Sequence, residues 1–346
     1  MPFESPLLLS SDGPMLSPSE FASALQHSIL STTVTDTYAE GGPTAELERF
    51  MARALQKEAA VFLPTGTLAN QLAIRILAGG KPSVVVQDQS HVFRDEHDMA
   101  QIMSGKTLIN LAPNQASFSA QEFQDTLTRH AGQVGAVSIE SPVRRQMSER
   151  FDFAEMQSIS RIARRHDIGL HLDGARLFIE SVYSGIPVSA YAALFDTIYI
   201  CLYKCFGAGS GALLCGSRAH IEAALRLRSL FGARMFKTWP FSAVALRIAD
   251  GFERRLSLVK VRAERFFDRL NDSGAVKVFP VERGTNVYRF TAQGADPESV
   301  RKRVAGEGIR WSSFGFTPEY GLFRVNETWA VMNEETVFQR IMRSLT

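Results

Sequence analysis

Residues 59–80, AAVFLPTGTLANQLAIRILAGG, decide the fold class. The apolar run through Leu63 reads as a short strand, Pro64-Thr65-Gly66-Thr67 as a turn, and the rest as a helix closed by Gly79-Gly80. Upstream, TAELERFMARALQKE (44–58) has helical amphipathic spacing, with Thr44 as candidate N-cap. Downstream, short apolar runs at 83–86, 136–140, 170–173, 197–201 and 211–215 predict strands, with helices at 152–166 and 218–229 between some of them. Short β-branched runs separated by helices imply an α/β fold with a mostly parallel sheet buried on both faces. No repeat or low-complexity segment interrupts the pattern.

The last hundred residues change character. A long, charged helix over roughly 244–272 leads into KVFPV, NVYRFTA, a helix at 296–307, GIRWSSF and YGLFRVNET. This pattern predicts a small α+β domain, and the expected division is 1–245 for the large domain with an N-terminal arm and 246–346 for the small one.

The 346 residues carry 38 Lys and Arg against 36 Asp and Glu, a formal charge of +2. That balance excludes a nucleic-acid binder driven by bulk charge and an acidic disordered chain. Hydrophobic residues at 45% and charged residues at 21% are ordinary globular composition, enough for one large core and a smaller one. Cys201, Cys205 and Cys215 are odd in number and clustered, a poor disulfide framework, and C-x3-C without a second pair or a histidine is a poor zinc site. They read as small buried hydrophobes, and no metal is expected. MPFESPLLLSSDGPM lacks a basic segment ahead of its leucines, and no stretch reaches the about 18 apolar residues of a membrane span. The expectation is a cytoplasmic protein, neither exported nor membrane-inserted.

Ligands of open α/β sheets gather at the carboxyl ends of the strands, and the unusual clusters of this chain all follow predicted strands. Thr65-Gly66-Thr67 opens a helix, so backbone N–H groups, two hydroxyls and the helix dipole suit a phosphate; taken alone, the motif reads first as an ordinary turn. GAGSG (207–211) is followed by a strand and not a helix, which argues against a nicotinamide site. Asp173 ends LHLD and is followed by Gly-Ala-Arg. Lys204 follows TIYICLY among apolar and aromatic neighbours, an environment that prepares a lysine to form an imine. Either residue alone reads as an ordinary ion-pair partner. The order of phosphate turn, histidine, acid and lysine is what sets them apart.

In that order the chain resembles, over nearly its whole length, the threonine aldolase and β-eliminating lyase group of pyridoxal-phosphate enzymes. The resemblance rests on TYAEGGPTAELE (37–48), KEAAVFLPTGTLANQLAI (57–74), SHVFRDE (90–96), HLDGARLF (171–178) and CLYKCFGAGSG (201–211). It implies fold type I, the aspartate-aminotransferase-like architecture, in which a mostly parallel seven-stranded sheet is covered by helices and followed by a small C-terminal domain. It also implies pyridoxal 5'-phosphate as cofactor, held covalently by Lys204, with Asp173 at the pyridinium nitrogen, His91 on the ring face, and Gly66 and Thr67 at the phosphate. Arg176 serves the cofactor and, with Arg324 and Ser11, the substrate carboxylate; His91 as a surface-loop residue and Arg324 as a plain exposed charge remain alternatives. Glu96 matches a family acid of open role.

Three departures stand out. Phe236 replaces a phosphate-binding arginine within Gly232-Ala233-Arg234-Met235-Phe236-Lys237, with Arg234 or Lys237 as substitutes. Glu140-Ser141-Pro142-Val143-Arg144-Arg145 replaces Glu-Asn-Thr-His, and His130 is an ill-spaced candidate for a second active-site histidine. The activity implied is cleavage of the Cα–Cβ bond of threonine or allo-threonine to glycine and an aldehyde. The alternatives are β-elimination, transamination, or a non-catalytic pyridoxal-phosphate binder. The expected partners are a small amino acid and further copies of the chain, as a homodimer or homotetramer, with neither nucleic acid nor membrane.

Overall fold

The computed structural model describes residues 7–305, 309–313 and 315–345. In chain order its strands are β1 (Leu7–Leu8), β2 (Ala59–Leu63), β3 (Ser83–Gln87), β4 (Thr107–Leu111), β5 (Val134–Glu140), β6 (Gly169–Asp173), β7 (Thr197–Cys201), β8 (Ala212–Gly216), β9 (Val276–Pro280), β10 (Val287–Ala292), β11 (Ile309–Arg310) and β12 (Gly321–Arg324). Seven of them form the main sheet in the order β2-β8-β7-β6-β5-β3-β4. Only β8 runs against its neighbours. The other pairings are parallel.

Strands β3, β5, β7 and β8 are buried along their whole length, which is why each reads as an apolar run and not as an alternation. The edge strand β4 did not stand out in the sequence because it has one neighbour and exposes Thr107 and Asn110. The helix Ala120–Arg129 was likewise unmarked, although Ser119 and Glu122 form a capping box at its start.

Four local expectations are corrected. The helix expected from Thr44 spans Gly42–Ala54 with Gly41 at its N-cap and Pro43 in its first turn. Thr44 is therefore inside the helix, and its buried hydroxyl lies 2.8 Å from Thr238 Oγ1 and 3.0 Å from Ser242 Oγ. The supposed turn at 64–67 is already helical from Gly66, because Thr65 caps Gly66–Ala78 by accepting from Leu68 N. The long helix expected over 244–272 is two, Trp239–Ala249 and Phe252–Asp272, broken at Asp250-Gly251, where Gly251 takes φ +69°. The helix expected at 296–307 is Pro297–Val304, and residues 306–308 lie outside the described ones.

A second core gathers residues from the start of the chain and from Val259 onward. Strands β9, β10 and β12 form an antiparallel sheet, and β1 pairs in parallel with β11. Phe266, Phe267, Phe290, Trp311, Phe323 and Trp329 fill this core together with Leu7 and Leu9 from the start of the chain. The N-terminal segment thus packs with C-terminal elements and continues from there to the edge of the main sheet, where β2, β3, β5, β6 and β7 all end.

Candidate active site

The helix Gly66–Ala78 starts three residues after β2 ends and aims its amino end into a cleft lined by Gly66, Thr67, His91, Asp173, Arg176 and Lys204. Six residues expected at a cofactor are therefore brought together, from the ends of four strands, β2, β3, β6 and β7. Gly66 has no substitute here, since a Cβ would fall on the hydroxyl of Tyr199.

Asp173 is buried at the end of β6, where Oδ1 accepts from Ala175 N (3.1 Å) and Oδ2 from Asn70 Nδ2 (2.9 Å). Asn70 donates its second N–H to Glu96 Oε1 (2.9 Å), Gln71 Nε2 donates to Glu96 Oε2 (2.7 Å), and His91 Nδ1 lies 2.8 Å from Glu96 Oε1. The carboxylate only accepts, so His91 carries a proton on Nδ1. The hydrogen bond to Glu96 raises the His91 pKa against the opposing effect of burial, and the charges of Asp173 and Glu140 add to the rise. Behind Asn70, His171 Nε2 sits 3.0 Å from Asn70 Oδ1 and its Nδ1 2.9 Å from Thr197 Oγ1. Burial lowers the His171 pKa to about 4, so this imidazole is neutral and donates through Nε2.

Glu140 ends β5 as Asp173 ends β6. Its carboxylate accepts from the backbone N–H of His91 (2.5 Å) and of Arg144 (2.9 Å). Burial, then the neighbouring charge of Asp173, pushes its pKa up.

Lys204 occupies the short helix Leu202–Cys205 directly after β7, half-buried, with Nζ 5.8 Å from the centroid of the Tyr203 ring. Cys201, Cys205 and Cys215 are free and buried, as small hydrophobes are.

Arg176 and Arg324 meet on one carboxylate, that of Asp12. Arg176 Nε donates to Asp12 Oδ2 at 2.7 Å and Arg324 Nη1 to Asp12 Oδ1 at 2.9 Å. Arg324, 5% exposed, is no surface charge. The Ser11 hydroxyl turns back on its own loop, donating to Gly13 O at 2.6 Å.

Of the stretches that depart from the family pattern, Glu140 lines the cleft, and Phe236, Arg234, Lys237, Arg144 and Arg145 do not. Lys237 Nζ donates to Thr35 Oγ1 (3.1 Å), Thr37 Oγ1 (3.2 Å) and Asp36 O, and Arg234 pairs with Glu40. Phe236 is 58% exposed and packs edge-on to Tyr38. Arg144 and Arg145 both pair with Asp95, four residues past His91. His130 ends the helix that precedes β5, at the opposite edge of the sheet from Glu140, and is not part of the cleft.

Sequence reasoning passed over Asn70 and Asp12, and named Glu140 only as the start of a departing stretch, with no role. Asn70 lies one turn past Gly66 on the same helix, Glu140 closes an apolar strand, and Asp12 adjoins Ser11. Each of those positions was a usable signal.

A sequence model described as beta-eliminating lyase matches residues 24–293. A low-specificity L-threonine aldolase of Candida albicans is 28% identical over 271 residues, 76% of this chain and 72% of that protein. A candidate L-allo-threonine aldolase of Listeria monocytogenes superposes with a TM-score of 0.79 and 26% identity, over 99% of this chain and 97% of that one. A candidate aromatic amino acid beta-eliminating lyase/threonine aldolase from Exiguobacterium shares the fold, with a TM-score of 0.83 and 22% identity over 99% of this chain and 98% of that one.

Proposed function

The chain belongs to the beta-eliminating lyase family, and from that premise we propose that it is a pyridoxal-phosphate-dependent carbon–carbon lyase cleaving threonine or allo-threonine to glycine and acetaldehyde. The observation that carries this reading is the meeting, in one cleft, of a lysine, a buried acid, a histidine, a helix amino end and a buried arginine tied to a second one.

The residues present fit the cofactor. Gly66 and Thr67 offer their N–H groups to a phosphate, Asp173 offers a buried carboxylate to a ring N–H, and Lys204 offers an amine. Tyr199 fills the place a Cβ would take at Gly66, so the backbone is bare at that position. When bound, pyridoxal phosphate supplies the electron sink that makes a Cα–Cβ bond cleavable.

This chain's own residues do the rest. Arg176 and Arg324 bind the substrate α-carboxylate and fix the amino acid's orientation. His91, protonated on Nδ1 by its bond to Glu96, keeps the Nε2 lone pair for the β-hydroxyl proton, taken directly or through one water. Its raised pKa also favours the imidazolium, so the neutral form that can take this proton grows as pH rises.

Incubation with threonine and allo-threonine tests the proposal: glycine and acetaldehyde should appear in equal amounts with no ammonia. Formation of 2-oxobutanoate and ammonia would assign elimination instead. We also propose a cytoplasmic location, consistent with three free cysteines, and a homodimer or homotetramer. Exposed Leu30, Val34, Tyr38 and Phe236 support assembly, and analytical ultracentrifugation checks it.

A further inference from the structure

We propose that Asp12 is a positioning residue that orients Arg176 and Arg324 and sets their joint charge, so that the seat they form accepts one monoanionic carboxylate. This rests on the reading that the two arginines bind the substrate carboxylate.

The three side chains come from distant parts of the chain. Asp12 lies in the N-terminal segment, Arg176 caps the helix after β6, and Arg324 ends β12. The side chains of Arg176, Arg324 and Asp12 are 7%, 6% and 10% exposed. Asp12 takes Nε of one guanidinium and a single Nη of the other, leaving the remaining N–H groups of both for a ligand. Two cations and one anion leave a single net positive charge, which one α-carboxylate neutralises. A dicarboxylate would leave an uncompensated negative charge in a buried site.

Asp12 is itself clamped. Asn286 Nδ2 lies 3.5 Å from its Oδ1, Asn326 Nδ2 donates to Ser11 O (2.9 Å), and Arg324 N donates to Leu9 O (2.8 Å). Gly13 rests against the carbonyls of Lys204 and Cys205 with no room for a Cβ. The loop holding the carboxylate thus touches the backbone of the lysine as well as both arginines. Burial works to raise the Asp12 pKa, but the two guanidinium charges outweigh it and hold the carboxyl well below the usual range.

The test uses the cofactor-loaded protein and the change in cofactor absorbance on adding glycine, with acetate and oxalate as competitors at constant ionic strength. Asp12→Asn raises the seat's charge to +2, and oxalate should gain on acetate by about tenfold or more relative to wild type. Arg324→Gln lowers the charge to zero and should weaken glycine by about tenfold. Combining Asp12→Asn with Arg324→Gln restores a charge of +1 and relieves the repulsion that could unfold the single variant. The double variant should therefore bind glycine at least about threefold more tightly than Arg324→Gln alone. A folded Asp12→Asn whose oxalate-to-acetate ratio stays within about twofold of wild type overturns the inference. So does a double variant no better than Arg324→Gln. A wild-type protein showing no response to glycine removes the substrate reading and this inference together, whereas a normal wild-type response with an unshifted ratio removes only the role of Asp12.

Discussion

Lys204 sits where a fully buried strand gives way to a four-residue helix, and its amine shares the cleft with Asp173 and His91. Lys204→Ala should abolish the absorbance of covalently held cofactor. Borohydride reduction followed by peptide mass mapping should then find no cofactor on residues 202–205, and an adduct on another lysine would reassign the role. His91 owes its raised pKa first to Glu96, so Glu96→Gln should lower its titration midpoint, as read from its ring-proton NMR shifts or the pH–rate profile. An unmoved midpoint would leave the rise to Asp173 and Glu140. His171 makes a prediction about stability. Its pKa falls from 6.5 to about 4 on folding, so below pH 6.5 the unfolded chain binds a proton that the folded one refuses. Stability is full above about 6.5 and declines as pH falls toward 4, by about 3 kcal/mol in all from this residue. Urea unfolding between those pH values should show the slope in wild type and a flatter one in His171→Asn. Equal slopes would place the effect in other groups.

At the scale of elements, the amino end of Gly66–Ala78 is the part most sensitive to shape. Gly66→Ala drives a methyl into Tyr199 and should cost about 1–3 kcal/mol, with loss of cofactor retention, since the displaced residue lines the cleft. Gly80→Ala, just past the other end of that helix, meets open space and should stay within about 0.5 kcal/mol of wild type. Urea midpoints of the two variants, with cofactor content measured on the same samples, check the contrast. The helix itself was legible because its apolar spacing and Gly79-Gly80 terminator are local. Its first turn was misread although the Thr65 cap is local, accepting from Leu68 N three residues on, because Pro64 and Gly66 on either side of Thr65 are turn formers.

For the molecule as a whole, we place the boundary between the two cores inside the helix Phe252–Asp272. Phe252 and Leu256 pack in the first core, Val259 and Phe266 in the second. Leu7 and Leu9 also pack in the second core, and Leu8 O accepts from Trp329 Nε1 (3.0 Å) and Asn326 Nδ2 (2.8 Å). Deleting residues 1–9 should shift tryptophan fluorescence to longer wavelength, as Trp311 and Trp329 become wetter, and lower the thermal midpoint. A truncated protein with unchanged emission and midpoint would show that the segment does not support the second core.

The sequence by itself determined which residues could do chemistry and where along the chain they stand. Strand ends at Leu63, Glu140, Asp173 and Cys201, and the polar or charged residues at or after them, follow from hydrophobic runs and turn residues, which are properties of neighbours a few positions apart. Only the tertiary structure decided which charges face one another. Asp12 reaches Arg176 and Arg324 across 164 and 312 positions, and Asn70 joins Asp173 to Glu96 across 103 and 26. Those pairings depend on which segments the two cores bring together and on the loss of water there, since a buried carboxylate must find a cation or a donor and a surface one need not. No local pattern specifies that choice. The break at Asp250-Gly251 is the contrary case: its Asp-Gly pair is a local signal, with Gly251 at φ +69°, hidden within helical spacing that runs on both sides of it.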